Sequence, residues 1–189
     1  MKPNLELVSN TLFESGSLKM TLSSSEDFCN KILNAYQILN SCILSGGTIY
    51  SCGNGGSTCD SMHLTQELVA RYKKTRPGIK AMHFADSATI TCWSNDVSFL
   101  DVFKRCAETF CTDKDVLIAI STSGNSPNVL VAAEEARLRG SKIIALTGRD
   151  GGALTKLADV AIIVPSEKTE RIQECHISII HILCDLLES

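Results

Sequence analysis

His63 and Glu67 stand four residues apart, with Asp60 three residues before the histidine, in the stretch Ser51-Cys-Gly-Asn-Gly-Gly-Ser-Thr-Cys-Asp-Ser-Met-His63. On a helix, positions 60, 63 and 67 fall on one stripe. An imidazole and a carboxylate on one face can accept and return protons near neutral pH. The segment ahead of them has a different chemistry. Thr48-Ile49-Tyr50 reads as a short strand running into a glycine-rich turn, Gly53-Asn54-Gly55-Gly56. Ser57 or Thr58 is expected to cap a helix that begins near Cys59 and continues to Tyr72. Free backbone N–H groups, glycines that allow close approach and a helix dipole together favour an anion. The pattern is a phosphate cradle leading into an acid–base stripe. A His–Glu pair at this spacing is also an ordinary surface pair; its place one to two turns beyond the glycine turn favours a site. Asp60 either orients the imidazole or stabilises the helix N-terminus.

A second polar turn, Ser121-Thr122-Ser123-Gly124-Asn125-Ser126, precedes Pro127, a residue suited to the first turn of a helix. Its hydroxyls and backbone N–H groups, without a Walker-type lysine, suit a sugar phosphate better than a nucleoside triphosphate. The last helix carries Gln173, His176 and His181. His176 falls in the apolar stripe of Ile172, Ile179, Ile180 and Leu183, where a hydrogen-bonded core histidine belongs, but periodicity alone does not decide which histidine works. His83 reads as structural or surface. Cys52 and Cys59 flank the glycine turn, but the neighbouring imidazole and carboxylate offer better acid–base chemistry than a thiol. A phosphate anchor with Glu and His, and no nucleophile elbow, fits proton transfer beside a carbonyl. Aldose–ketose isomerisation through an enediol(ate) is such a reaction. His63, Glu67, Gln173 and His181 could also hold one divalent metal that polarises the carbonyl.

These groups need a scaffold, and the pattern supplies one. A helix is expected over Leu5 to about Ser15. A second starts at Ser23-Ser-Ser25 and ends at Gly46-Gly47. Ile79–Phe84 is a strand candidate, followed by a short helix, Ala88–Cys92, capped at Asp86-Ser87. Ser94-Asn95-Asp96 reads as loop, and Phe99–Phe110 as helix. Val116–Ile120 and Lys142–Leu146 are apolar throughout, as strands buried on both faces are. Asn128–Arg139, the short Ala153–Leu157 and the long Glu167–Leu187 are helical, and Val160–Val164 is a strand. Strands alternating with helices predict an α/β fold: a parallel sheet with helices on both faces, in which ligands bind beyond the carboxyl ends of the strands. Both polar turns lie at that edge. The two extra N-terminal helices, residues 1–46, have a surface to spare for each other or for another subunit.

Length, 189 residues, fits one domain, and 44% hydrophobic with 21% charged residues is an ordinary globular balance. A net charge of −3 gives no sign of a nucleic-acid or membrane surface. The basic run Arg71–Arg76 reads as a solvated helix end and loop. Nine cysteines, an odd number without a Cys-x-x-Cys pair, argue against a disulfide framework or a cysteine zinc site. Cys42, Cys92, Cys106, Cys175 and Cys184 read as small buried hydrophobes in a reducing cytoplasm. No stretch is long enough to span a bilayer.

These motifs resemble the bacterial phosphoheptose isomerases of the sugar isomerase (SIS) family. The resemblance rests on Cys52-Gly-Asn-Gly-Gly-Ser57, Asp60-x-x-His63-x-x-x-Glu67, Arg71-Tyr72, Asn95-Asp96, Asp115–Ser126, Ala145–Gly152 and Arg171–His181. It spans nearly the whole chain. It implies a single SIS domain of flavodoxin-like, five-stranded, three-layer form, and a homotetramer with sites at subunit interfaces that use the N-terminal helices. The reaction implied is sedoheptulose 7-phosphate to D-glycero-D-manno-heptose 7-phosphate, the first step towards ADP-heptose and the lipopolysaccharide core. Family substrate contacts fall on Asn54, Gly55, Gly56, Glu67, Asn95, Asp96, Ser121, Thr122, Ser123, Ser126 and Gln173. Acid–base residues fall on Glu67 and His181, with their division of labour open, and zinc ligands on His63, Glu67, Gln173 and His181. The resemblance thus selects His181 over His176. Two non-catalytic readings within the family are disfavoured. A protein-binding relative lacks the carboxylate and last-helix histidine present here, and a transcriptional sensor would carry a DNA-binding segment.

Overall fold

The computed structural model describes residues 4–189. Five parallel strands, β1 (Ile49–Gly53), β2 (Ala81–His83), β3 (Val116–Ser121), β4 (Lys142–Gly148) and β5 (Val160–Val164), form one sheet in the order β2-β1-β3-β4-β5. This is the flavodoxin-like strand order. Successive strand residues face opposite layers. Val116, Ile118 and Ile120 of β3 join one apolar cluster, and Leu117 and Ala119 join the other. The first cluster lies under α1 (Leu5–Ser23), α2 (Glu26–Leu44), α3 (Gly56–Val69) and α7 (Thr169–Leu187). The second lies under α5 (Val102–Phe110) and α6 (Pro127–Leu138), with α4 (Ser87–Asp96) at its margin. The three-layer α/β expectation is met.

Local differences from the sequence reading have physical causes. The first helix runs on to Ser23 rather than ending at Ser15. Leu18 and Leu22 pack on the core, and Ser15 donates a hydrogen bond to Glu174. This tertiary anchoring outweighs the weak helix propensity of Gly16. α2 begins as expected, its Ser25 hydroxyl accepting from Phe28 N–H. β1 is shifted towards Gly53. Thr48 stays outside it, its N–H held by Asp115 Oδ1 at 2.7 Å. Neither Ser57 nor Thr58 caps α3. The cap is Gly55 at φ +56°, and Thr58 instead donates back to the Gly53 carbonyl. α3 also stops at Val69, short of Tyr72. Ser94-Asn95-Asp96, expected as loop, forms the last turn of α4, which Asp86 caps through Thr89 N–H at 2.7 Å. A 3-10 turn, Phe99–Asp101, leads into α5.

All nine cysteines are free. Cys42, Cys106, Cys175 and Cys184 are buried as expected, but Cys92 is exposed, its thiol directed at Asp96 Oδ2. No helix among the described residues is long and apolar enough to cross a membrane.

His176 is a core residue. It is fully buried, with Nε2 3.0 Å from the carbonyl oxygen of Thr147 on β4 and Nδ1 without a partner. Burial pushes its pKa down to about 4, against a weaker upward pull from that carbonyl. The unfolded chain takes up this proton below about 6.5 while the folded protein does not. Stability from this residue is therefore present above pH 6.5 and is lost as pH falls towards 4, to a limit on the order of 3 kcal/mol. Urea midpoints measured between pH 7 and 4 are expected to fall through this window, and the slope is expected to flatten in His176→Gln.

Candidate active site

β1 and β3 are neighbours in the sheet, so the turns that leave their carboxyl ends open on the same edge. A pair of amides joins the two turns. Asn54 Nδ2 donates to Asn128 Oδ1 at 2.7 Å, and Asn128 Nδ2 donates to Asn54 Oδ1 at 2.9 Å. Asn128, in the first turn of α6, is buried and was not singled out from the sequence. Its only sequence signal is its place right after Ser126-Pro127. The convergence of the two turns, expected from topology, is thus fixed by side chains.

The first turn presents Gly55 and Gly56 at the opening of α3, with neither N–H bonded to a protein acceptor among the described residues. The second is folded on its own hydroxyls. Ser121 Oγ lies 2.9 Å from Ser126 Oγ and 3.5 Å from Ser123 Oγ, and Asn125 N–H donates to Ser123 Oγ. Asn125 Oδ1 accepts from Ala153 N–H at 2.9 Å, tying the loop to the chain after β4. Thr122 sits partly exposed between these anchors. Uncharged donors aimed at one edge, flanked by the N-termini of α3 and α6, suit a phosphate monoester.

Two turns along α3, the acid–base groups meet those of α7. His63 Nε2 is 3.1 Å from Glu67 Oε1 and 3.1 Å from His181 Nε2. The donor atoms of His63, Glu67 and His181 all lie within 4.8 Å of one another. The Glu67 side chain is 13% exposed and that of His63 39%, so the group is sheltered yet reachable. The ring of Tyr72 stacks on His181 with centroids 5.7 Å apart. This contact is tertiary, and the pattern around Arg71-Tyr72 does not announce it.

Ligand atoms around a tetrahedral zinc at about 2.0–2.1 Å are separated by roughly 3.3 Å. Two of the donor spacings of this trio, both 3.1 Å, are close to that, and the third is within 4.8 Å. Two imidazoles and one carboxylate also form a donor set that leaves a coordination position open. The residues therefore fit a single small divalent cation with little rearrangement.

The other candidates are placed differently. Gln173 lies against the start of α3, where a methyl group at Gly56 would overlap its amide. Its amide adjoins the glycine turn. Asn95 and Asp96 lie exposed at the end of α4, and their described side-chain hydrogen bonds run within that helix. Within one chain they are not drawn to the trio. Asp60 is buried, and no described hydrogen bond joins it to His63; its Oδ2 has no partner. Burial raises its pKa to about 6, against a smaller downward pull from His63. His83 caps locally, its Nδ1 accepting from Ala85 N–H.

Comparison with known proteins agrees with this geometry. Residues 17–148 match the SIS domain family. A phosphoheptose isomerase of Histophilus somni is 45% identical over 185 residues, covering 97% of this chain and 95% of that protein. One from Yersinia enterocolitica is 43% identical over 184 residues, with 97% and 95% covered. The solved phosphoheptose isomerase of Neisseria gonorrhoeae superposes with a TM-score of 0.90 at 35% identity, covering 97% of each chain. That of Francisella tularensis gives 0.90 at 36%, again covering 97% of each. Sheet order, paired turns and sequence thus agree: the chain belongs to the phosphoheptose isomerases of the SIS-domain family and is a sugar-phosphate isomerase.

Proposed function

We propose that this isomerase converts sedoheptulose 7-phosphate to D-glycero-D-manno-heptose 7-phosphate through an enediol(ate), as the first step towards ADP-heptose and the lipopolysaccharide core. One observation carries the reading: two anion-binding turns clasped by the Asn54–Asn128 pair, with an imidazole–carboxylate group farther along the same helix. Residues 56 and 63 are about 10 Å apart along α3. That separation suits a phosphate several carbons away from the reacting carbonyl and is long for a triose.

In this reading Asn54, Gly55, Gly56, Ser121, Ser123 and Ser126 hold the phosphate, and Thr122 and Gln173 contact the neighbouring hydroxyls. The firm grip on the ester end fixes carbons 1 and 2 beside Glu67 and His181, which turns an encounter into an intramolecular proton transfer. Glu67 and His181 divide removal of the proton beside the carbonyl and its return to the other carbon, each through an atom not bound to metal in the state that moves the proton. Glu67 Oε1 faces His63, which leaves Oε2 free to exchange a proton with substrate. His63, Glu67 and His181 form the core of the proposed zinc site, with Gln173, once its amide turns from Gly56, as a fourth ligand that would alternate with the substrate oxygen. Zinc bound at such a set would supply Lewis-acid polarisation of the substrate carbonyl.

The same reading extends to assembly. Leu5, Val8, Leu12, Phe13 and Met20 of α1 are exposed and share one face, which packing between subunits would cover. Asn95 and Asp96, exposed on α4, would then serve a neighbouring protomer's site in a homotetramer. The chain is read as one SIS domain over residues 1–189, with residues 1–46 serving this packing. Nine free thiols fit a reducing cytoplasm.

A coupled assay of sedoheptulose 7-phosphate turnover, with and without chelator, tests the proposal. Turnover is expected, with loss on chelation and recovery on adding zinc. A protein inert on this ketose but active on a pentose or hexose phosphate would refute the substrate assignment. Full activity after exhaustive chelation would refute the zinc assignment.

A further inference from the structure

The basic run Arg71–Arg76, expected as a solvated loop, closes around one carboxylate instead. Glu188, just beyond the end of α7, has a side chain only 3% exposed. Its Oε1 accepts from Tyr72 N–H at 3.1 Å and from Arg76 Nε at 3.0 Å. Its Oε2 accepts from Lys73 N–H at 2.9 Å and Lys74 N–H at 2.8 Å. Lys74 Nζ reaches the Glu188 backbone carbonyl, and Lys73 Nζ pairs with Asp185 at 2.6 Å. Desolvation alone would raise the Glu188 pKa. The N–H groups of Lys74, Lys73 and Tyr72, with the Arg76 charge, instead bring it down to about 2. The carboxylate is therefore ionised wherever the enzyme works.

Two of the groups that grip Glu188 also touch the acid–base group. Arg76 donates from Nη2 to the Glu67 carbonyl at 2.9 Å and from Nη1 to the Leu68 carbonyl at 2.8 Å. These are among the last carbonyls of α3, which lack partners further along the helix. Tyr72, whose N–H is held by Glu188, lays its ring on His181. One connection thus runs from Glu188 through Arg76 to the backbone of Glu67, and another through Tyr72 to the ring of His181. The segment bearing both, residues 70–80, has no helix or strand of its own.

We propose that Glu188 is a positioning residue of this isomerase: from outside the site it holds Arg76 on α3 and Tyr72 on His181, and so fixes Glu67 and His181 relative to each other. The proposal rests on the reading of Glu67 and His181 as the reacting pair. Both carboxylate oxygens are used, each by two N–H donors. A glutamine offers one acceptor oxygen and turns an NH2 group towards two donors, so it opens the clamp without changing its size.

The test uses full-length Glu188→Gln, Glu188→Asp and Arg76→Lys, the last retaining charge but losing the fork that reaches Glu67. Thermal melting reports folding, steady-state kinetics on sedoheptulose 7-phosphate separate kcat from KM, and NMR follows the His181 ring protons, assigned with His181→Asn. Glu188→Gln and Arg76→Lys are expected to stay folded at 25 °C, with kcat at least tenfold lower and KM within threefold of wild type. The His181 ring signals are expected to move in Glu188→Gln as the Tyr72 ring current is lost, and Glu188→Asp is expected to recover part of both effects. Folded Glu188→Gln with a lower melting temperature but unchanged kcat and His181 signals would make Glu188 an anchor for the end of α7 and overturn the proposal. If Glu188→Gln fails to fold, Arg76→Lys decides: unchanged kcat overturns the proposal, and a selective fall supports it. A wild-type protein inert on the ketose would count against the substrate reading, while the His181 signals would still decide the positioning role.

Discussion

Glu67→Gln is expected to lower kcat for sugar-phosphate isomerisation by about 10³-fold or more, and His181→Asn by about 10²–10⁴-fold. Glutamine keeps the size of the side chain and one oxygen near His63, so the fold and the phosphate grip survive. What it lacks is a group that takes a proton from carbon at neutral pH. The turns proposed to hold the phosphate, two turns of α3 away, are unaltered, so KM is expected to move by less than about fivefold. Loss would then fall on the chemical step rather than on binding. The lost His63–Glu67 pair is partly exposed and contributes at most about 1 kcal/mol, so the melting temperature is expected to change by only a few degrees. Zinc content, measured by metal analysis after dialysis, separates the two roles proposed for Glu67. A variant that keeps its zinc but loses kcat assigns proton transfer to the carboxylate. Full turnover by Glu67→Gln would remove it from the chemistry altogether.

The parts of the molecule that were legible in the sequence are those whose physics is local. β3 and β4 read as strands because both of their faces are buried and nearly every residue is apolar. The start of α2 was readable because a serine hydroxyl caps it. The start of α3 was not, because its cap is a glycine with positive φ and no side-chain bond to announce it. The end of α4 was misread because serine, asparagine and aspartate favour turns. There the Asp86 cap and the packing of Ile90 and Trp93 on the core carry the helix onward.

The same division holds at the site. His63 and Glu67 share one helix, so their spacing was informative. His176 and His181 also share one helix, and periodicity could not rank them. What separates them is tertiary: His176 meets the Thr147 carbonyl at the end of β4, whereas His181 meets His63 on α3. The Glu188 clamp joins groups more than a hundred residues apart, and nothing in the local pattern of residues 71–76 reveals a carboxylate partner. Charge in that run suggested solvent. The structure uses its backbone N–H groups rather than its ammonium groups for most of the binding.

Gly124→Ala is expected to lower kcat/KM by about 10²-fold or more and the melting temperature by about 5–10 °C, the largest effect of any single methyl group added near the site. Gly124 has φ +63°, which alone costs an alanine about 1 kcal/mol. The greater cost is steric. A Cβ at this position would overlap the Gly151 carbonyl, which is backbone and cannot rotate away as a side-chain tip can. The serine loop must then lift from the chain after β4. This breaks the bond from Leu154 N–H to the Gly124 carbonyl and strains that from Ala153 N–H to Asn125 Oδ1. Ser121, Ser123 and Ser126 are held in register by this same contact, so their hydroxyls would no longer converge on a phosphate. Gly46→Ala is the control, because Gly46, just past the end of α2 and outside the proposed site, also has a positive φ (+77°) but open space around the new methyl group. It is expected to cost only about 1 kcal/mol and to leave the serine loop intact. Melting curves and phosphate-dependent KM values for the two variants separate strain in φ from contact with Gly151. Equal behaviour of the two would mean that the Gly124–Gly151 approach contributes nothing to the binding loop.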